Sequence, residues 1–254
     1  MGDLAEGDPS RRKRFVAAVR SGMDLLFSVT NAAELSGPQG RSAEAVRAFL
    51  DEIGPHWLPI ELDAFEVVNR ELKGADPNKS CFSESLLKSY MVHRMRDHKT
   101  GTGKVIDLSD DFFTLGTTLD WVGPQRESIR EGSAKMDEAL RSRIGEHVDK
   151  SRRDALWLDQ KFPRLPFNPS LRATFAYFNL VRTLIAEANQ LKPGDGMDFC
   201  HAVMATAFAS FATLDKHWKR RVGSLPKPNG LARIYSKQDL DAMVADIESC
   251  LPNN

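Results

Sequence analysis

Leu25-Leu26-Phe27-Ser28-Val29 is a short, nearly continuous apolar run that ends in Thr30-Asn31. Such a run is typical of a parallel strand that is buried on both faces, because each face then needs apolar side chains. Helical periodicity lies on both sides of it, over residues 10–20 before the run and over residues 42–53 after it. This alternation of helix, strand and helix predicts an α/β fold.

Three further segments have the pattern of short strands separated by helices. Residues 57–60 are predicted as a second strand, residues 211–214 as a third and residues 233–235 as a fourth. Ser236 is expected to cap a last helix by bonding the backbone at Asp239. Parallel strands joined by helices end at one edge of the sheet, where α/β proteins bind their ligands. We therefore expect a parallel sheet flanked by helices, with a functional crevice at that edge.

The middle of the chain differs from its two ends. Between residues 61 and 192 the pattern is mostly helical with polar breaks, and residues 96–124 are rich in Gly, Asp and Thr. The predicted strands fall in residues 1–60 and 193–254. We therefore predict that residues 1–60 and 193–254 form the α/β core and that residues 61–192 form a large, mostly helical insertion.

The composition is that of an ordinary globular protein. The chain has 254 residues, 41% of them hydrophobic, with 35 Lys+Arg against 35 Asp+Glu. These values exclude a wholly disordered chain, a collagen-like repeat and a coiled-coil rod. Because the formal net charge is zero, no global field attracts nucleic acid or anionic lipid. Such a partner must be held by local patches or by a metal.

The cysteines and the first residues bear on location. Cys81, Cys200 and Cys250 are widely spaced and odd in number, which fits reduced thiols in a cytosol better than a disulfide framework. The first nine residues contain no apolar core, and no later stretch approaches the ~20 apolar residues that a membrane span needs. We therefore expect a cytoplasmic protein without a membrane partner.

Four acidic residues are placed to approach the predicted functional edge. Glu34 lies just beyond the first strand, Asp195 and Asp198 open the helix before the third strand, and Asp215 ends the third strand. Grouped carboxylates repel each other unless a cation joins them, and hard oxygen ligands suit Mg²⁺ or Mn²⁺. Two such ions can activate water against a phosphodiester and stabilise the leaving oxygen. Taken singly, the four residues also fit helix capping or ordinary surface positions.

Two longer stretches give these acids a context. Asp195-Gly196-Met197-Asp198-Phe199-Cys200-His201-Ala202 leads into a helix of small residues, and Phe211-Ala212-Thr213-Leu214-Asp215-Lys216 follows it. Together they resemble the C-terminal half of PIN-domain proteins, which are metal-dependent ribonucleases. Residues 25–30, followed by Ala32-Ala33-Glu34-Leu35, resemble the second strand of that family and its acid-bearing helix. The resemblance covers roughly residues 10–60 and 193–250.

The resemblance implies a PIN-like sheet, a divalent metal and an RNA substrate. It implies that the metal is Mg²⁺ or Mn²⁺, and that the protein is a toxin or an RNA-processing enzyme with an antitoxin or another protein as a further partner. The catalytic metal ligands would be Glu34, Asp195, Asp198 and Asp215, supported by Thr213.

One feature of the family is missing at the N-terminus. PIN domains begin with a central strand that bears an early Asp, whereas this chain starts at what resembles the helix after that strand. Asp3, Glu6 and Asp8 lie in a polar stretch without strand character. In the family's order the absent strand lies between the first and third strands identified here, which predicts two separate strand pairs. We expect an N-terminally shortened gene model whose full-length parent is a nuclease.

Two basic runs are candidates for holding RNA phosphates. One is Arg11-Arg12-Lys13-Arg14, and the other surrounds Trp218. Such runs are usually solvated faces, but near an acid-lined metal site they can bind phosphates while a Trp stacks on a base. His201 is interpreted as a packing residue. The RNA-binding set predicted in this way consists of Lys216, Trp218, Lys219 and Arg220.

Two other functions stay open at this point. A degenerate PIN-like domain would bind RNA or a protein without catalysis, which is motivated by the missing first acid. An unrelated helical interaction protein is a third hypothesis, and a parallel sheet would exclude it.

Overall fold

The computed structural model describes residues 2–37, 41–84, 86–88, 90–91, 114–154, 156–188, 190–226 and 228–251. Residues 96–124, which are rich in Gly, Asp and Thr, are expected to form a surface excursion, but only 114–124 are among the described residues, and most of these form a helix, Leu115–Val122. The chain forms two compact units. The first contains Met1–Glu61, Phe82–Arg130 and Leu240–Asn254, and the second contains Leu62–Cys81 and Glu131–Asp239. This division differs from the predicted one, since the third and fourth strands share the second unit with residues 131–192.

Short strands alternate with longer helices along the chain. In chain order the elements are α1 (Gly2–Ala5), α2 (Pro9–Arg20), β1 (Leu25–Phe27), α3 (Val29–Leu35), α4 (Arg41–Ile53), β2 (Trp57–Pro59), α5 (Ala64–Leu72), α6 (Leu115–Val122), α7 (Arg126–Arg153), α8 (Trp157–Lys161), α9 (Arg172–Glu187), α10 (Asp195–Phe208), β3 (Phe211–Thr213), α11 (Lys216–Gly223), β4 (Arg233–Tyr235) and α12 (Leu240–Cys250). Single 3₁₀ turns precede α7 and α12. The described helices include none with the length and apolarity that crossing a bilayer demands.

The strands form two parallel pairs. β1 pairs with β2 in the first unit, with Leu25 opposite Trp57 and Phe27 opposite Pro59. β3 pairs with β4 in the second unit, where Phe211 is opposite Arg233. Within the described ranges each of these sheets has two strands. The predicted short parallel strands are confirmed, and the architecture of the described residues is mostly helical.

The first strand is shorter than predicted because a helix cap ends it. Ser28 was included in the strand, but its Oγ accepts a hydrogen bond from the backbone N–H of Asn31 at 3.2 Å. The side-chain oxygen of Asn31 in turn accepts from the backbone N–H of Ser28 at 3.2 Å. These reciprocal bonds form a capping box, which starts α3 directly after Phe27.

The first basic run forms ion pairs inside its own unit. Arg11 contacts Asp241 at 2.7 Å and Arg14 contacts Glu248 at 2.5 Å, both on α12. Arg12 likewise contacts Glu52 on α4, at 2.8 Å. The apolar face of α2 packs beneath these pairs, with the Phe15 ring 6.0 Å from that of Phe49 on α4. This run therefore joins α2 to its neighbours.

A buried carboxylate caps α9, a central helix of the second unit. The residue before α9, Leu171, supplies no side-chain cap. Glu71 of α5 is 2% exposed, and its Oε1 accepts the backbone N–H of Ala173 at 2.9 Å. Its Oε2 accepts the N–H of Thr174 at 2.7 Å and the hydroxyl of the same residue at 2.8 Å. The first backbone N–H groups of a helix have no acceptor within the helix. In α9 the carboxylate of Glu71 accepts two of them, which the flanking residue Leu171 leaves unpaired.

The cap of the last helix differs from the prediction. Asp239 supplies the side-chain acceptor, because its Oδ2 receives the backbone N–H of Ser236 at 2.8 Å and also the Ser236 hydroxyl. The predicted bond runs in the opposite direction, from the Asp239 backbone to the Ser236 side chain. The carboxylate is the stronger acceptor of the two groups because it is charged.

Candidate acidic site

The start of α10 is set by a buried carboxylate from α7. Gly194, at φ +97°, precedes the helix and has no side chain with which to cap it. Asp137 takes that role: its two oxygens each accept the N–H of Gly194 at 3.1 Å, and its Oδ1 accepts the N–H of Gly196 at 2.8 Å. Arg141 pairs with Asp137 at 2.8 Å. A Cβ at Gly196 would lie 2.9 Å from the Asp137 carbonyl oxygen, so this approach requires glycine.

Two of the predicted acids hold local turns. Oδ2 of Asp195 accepts the backbone N–H of Lys192 at 2.6 Å. Asp215 is the N-cap of α11, and its Oδ1 accepts the backbone N–H of Trp218 at 2.7 Å. The β3–β4 pairing extends to the residue before this cap, since Leu214 donates to the Tyr235 carbonyl at 2.9 Å. Asp215 therefore caps α11, whereas Asp195 holds the turn that precedes α10. Each of these bonds uses one carboxylate oxygen and leaves the second.

Asp198 interacts electrostatically with the two other predicted aspartates. Its pKa is raised to about 6, first by burial and then by the negative charges of Asp215, Asp195 and Asp137. A hydrogen bond from the side chain of Trp218 opposes the rise. Loss of solvation and like charge both disfavour the ionised form of a carboxyl group. We call Asp195, Asp198 and Asp215 the acidic cluster.

The fourth predicted ligand belongs to the other unit. Glu34 is exposed on α3 in the first unit, whereas the acidic cluster lies in the second. Within the described ranges no three His, Cys, Asp or Glu side chains are arranged to hold a metal ion. The oxygen donors of the cluster fit Mg²⁺ or Mn²⁺ in charge and hardness, but they do not form a closed ligand set. Thr213, the predicted supporting residue, is exposed at the end of β3.

The prediction that Trp218 stacks on a base is wrong for this structure. Trp218 is only 2% exposed, with its ring 6.1 Å from Phe199 and 4.8 Å beneath the guanidinium of Arg221. Its face is therefore unavailable to a nucleobase. The sequence contained a signal for this burial, because Trp218 and Val222 stand four residues apart, on one face of an amphipathic helix. Sequence reasoning missed the role of the side chain as a partner of Asp198.

The predicted basic set is partly used in ion pairs. Lys219 contacts Asp239 at 2.7 Å, and Arg220 contacts Glu187 at 3.4 Å. Lys216 is exposed at the start of α11. Lys219 and Arg220 would have to exchange these carboxylates for phosphates in order to bind RNA.

The interior of α10 supports the packing interpretation of His201. Burial lowers the pKa of His201. The neighbouring thiol of Cys200 is also buried, which raises its pKa to about 12. A thiol with so high a pKa is protonated at neutral pH, and a protonated thiol is a weak nucleophile.

The comparisons with known proteins add no relative. No protein-family model, no curated protein and no solved structure matches this chain.

Proposed function

We propose that the protein is a PIN-like nuclease that hydrolyses RNA phosphodiester bonds with Mg²⁺ or Mn²⁺. The observation that supports this best is the acidic cluster. Three of the four acids selected from the sequence belong to one unit, and two of them raise the pKa of the third.

A divalent cation would offset the electrostatic repulsion among the carboxylates of the acidic cluster. The ionised form of Asp198 is disfavoured by burial and by its neighbours, so a positive ion beside it would be bound favourably. Asp195, Asp198 and Asp215 would hold the ion, with Thr213 in support. The bound metal would supply a nucleophilic water at neutral pH and charge to stabilise the leaving oxygen.

The strand pairing supports the same family. The two parallel pairs, β1 with β2 and β3 with β4, are compatible with the PIN-like strand order. An acid-bearing helix follows β1, and the Asp198 helix leads into β3. A cytoplasmic toxin or RNA-processing role, with an antitoxin or other protein partner, belongs to this proposal. Lys216, Lys219 and Arg220 would contact phosphates on the exposed side of α11.

Cleavage of single-stranded RNA with and without Mn²⁺ tests the proposal. Asp198→Asn and Asp215→Asn preserve side-chain size, and Asn keeps the capping ability that α11 needs at position 215. A matched control is Asp149→Asn, which changes an exposed acid of α7 in the same unit, 3.8 Å from Arg152. We expect Mn²⁺-dependent cleavage by the wild type and by the control, and its loss in both cluster variants. Equal cleavage by all four proteins would refute the assignment.

A second candidate is a PIN-like domain that binds RNA or a protein without catalysis. The observation in its favour is that no three acidic side chains of the described residues converge as a metal site, while two cluster members already accept backbone N–H groups. Calorimetry with Mn²⁺ separates the candidates. A nuclease should bind Mn²⁺ and lose that binding in Asp215→Asn, whereas a binding module should show no heat in either protein.

A further inference from the structure

Three aromatic side chains hold the short helix α8 against α7 in the second unit. The ring of His147 on α7 lies 5.4 Å from that of Trp157 and 5.1 Å from that of Phe162, centroid to centroid. Trp157 and Phe162, which begin and follow α8, lie 5.6 Å from each other. We call these three residues the aromatic latch. The ring of Phe162 also lies 6.5 Å from that of Phe178, centroid to centroid, so the latch also contacts α9.

The imidazole of His147 carries an unsatisfied polar atom inside the latch. Its Nδ1 is inaccessible to solvent and has no hydrogen-bond partner among the described residues. In the neutral ring with its proton on Nε2, this atom is a weak acceptor that aromatic neighbours tolerate. Protonation would convert it into a charged donor with nothing to receive its hydrogen, which is a costly group to bury.

The charges around the latch do not compensate such an imidazolium. Burial lowers the pKa of His147, and the positive charges of Lys150 and Arg143 lower it further, while Glu146 opposes them. The charges of α7 that act on the ring are those of Arg143, Glu146 and Lys150. On the two other helices, α8 carries Asp159 and Lys161, and Arg182 of α9 pairs with Asp159.

The carboxylate of α8 is already engaged by the clamp that holds the helix. Arg182 donates to Asp159 at 2.5 Å, to the Phe162 carbonyl at 2.6 Å and to the Leu158 carbonyl at 3.3 Å. Asp159 therefore has a fixed cationic partner on α9. The Arg182 clamp and the aromatic latch together account for how this five-residue helix is held.

We propose that protonation of His147 opens the aromatic latch and releases residues 156–162 from α7. The closed segment requires the neutral ring, whereas a solvated imidazole in the open segment accepts a proton near pH 6.5. The closed form is therefore fully favoured above that pH and loses stability as the pH falls below it, until the closed form is itself protonated. A cation–π attraction of the imidazolium to Trp157 acts in the opposite direction.

Hydrogen exchange tests the proposal directly. The exchange rates of the backbone amides of residues 157–162 are measured at pH 7.5 and pH 5.0 and corrected for the pH dependence of chemical exchange. Amides of α9 serve as the internal reference. We expect wild-type protection in 157–162 to fall by about 3- to 10-fold at the lower pH, while the reference changes little. His147→Phe keeps a ring in the latch and should abolish the difference. His217→Gln, an exposed histidine of α11, should leave it as in the wild type.

Several outcomes would overturn the proposal. Equal wild-type protection at both pH values would do so, as would a gain of protection at pH 5.0, which would show that cation–π attraction prevails. An undiminished pH effect in His147→Phe would assign the change to another group. If that variant does not fold, the pH titration of the indole N–H resonance of Trp157 is measured in the wild type instead. Its chemical shift must change with the same midpoint pH as that of the His147 ring. A different midpoint refutes the latch.

Discussion

Replacing Asp198 by Asn should stabilise the metal-free protein. Asp198 is half-buried in α10, and its pKa is raised from 3.8 to about 6 by burial and by neighbouring carboxylates. Its charged form therefore costs free energy in the folded state. Asn has almost the same size, and its amide oxygen can still accept the hydrogen bond from the side chain of Trp218. The change removes the unfavourable charge and leaves the packing in place.

The size and the sign of the effect follow from the two pKa values. Above about pH 7 the carboxyl is ionised in both states, and the variant should gain about 1–2 kcal/mol in unfolding free energy after allowance for solvent screening of a half-exposed group. Below pH 3.8 the carboxyl is protonated in both states, so the gain disappears. The advantage of Asn should therefore increase as the pH rises from 3.8 through 6.

Urea unfolding followed by circular dichroism at pH 4 and pH 8, with EDTA present, measures this gain. Asp149→Asn serves as the control, because an exposed pair such as Asp149 with Arg152 contributes about 0–1 kcal/mol and should show no comparable pH trend. Equal stability of Asp198→Asn and wild type at pH 8 would refute the reasoning, as would a gain that is larger at pH 4. Mn²⁺ should reverse the order of stability if the cluster binds it, since only the wild type keeps the full set of carboxylates.

Three further changes probe the supporting contacts of the second unit. Glu71→Ala should lower the unfolding free energy by about 3 kcal/mol in urea titrations, since two helix N–H groups lose their buried acceptor, and a loss below 1 kcal/mol would contradict the capping role. Gly196→Ala should cost about 1–3 kcal/mol, because its Cβ would meet the backbone of Asp137, and unchanged thermal unfolding would argue against that contact. Asp239→Asn should destabilise the protein at neutral pH, because hydrogen bonds from Lys219 and Ser236 lower the pKa of Asp239. The difference in unfolding free energy from wild type should vanish as acid protonates the carboxylate. An equal loss of unfolding free energy at every pH would exclude this cause.

Much of the local structure was predictable because local interactions decide it. The periodicity around Phe15 and Val19 predicts α2, and the apolar run at 25–27 predicts β1. Ser28 shows the limit of that approach. The apolar pattern assigned it to the strand, whereas its reciprocal bonds with Asn31 make it a helix cap. Capping depends on backbone direction, which an apolar pattern does not specify.

The candidate site was only partly predictable for a related reason. Asp195, Asp198 and Asp215 could be chosen from their positions next to predicted elements, and the charges of Asp195 and Asp215 contribute to the raised pKa of Asp198. Asp137 could not be chosen, because nothing in the middle of a long charged helix marks one acid as buried. It becomes recognisable only through its hydrogen bonds to Gly194 and Gly196, more than fifty residues later in the chain.

The amino-acid sequence by itself determined most of the longer helices, the four short strands and the acids that lie beside them, since each depends on neighbours within a few positions. It did not predict α6, which lies in the Gly-, Asp- and Thr-rich residues 96–124. Tertiary structure alone decided that Glu71 and Asp137 cap helices far along the chain, that Trp218 is buried, and that the basic run of α2 is paired. The physical reason is that the partner of a charge and the burial of a ring are set by packing between distant segments, which local pattern does not encode.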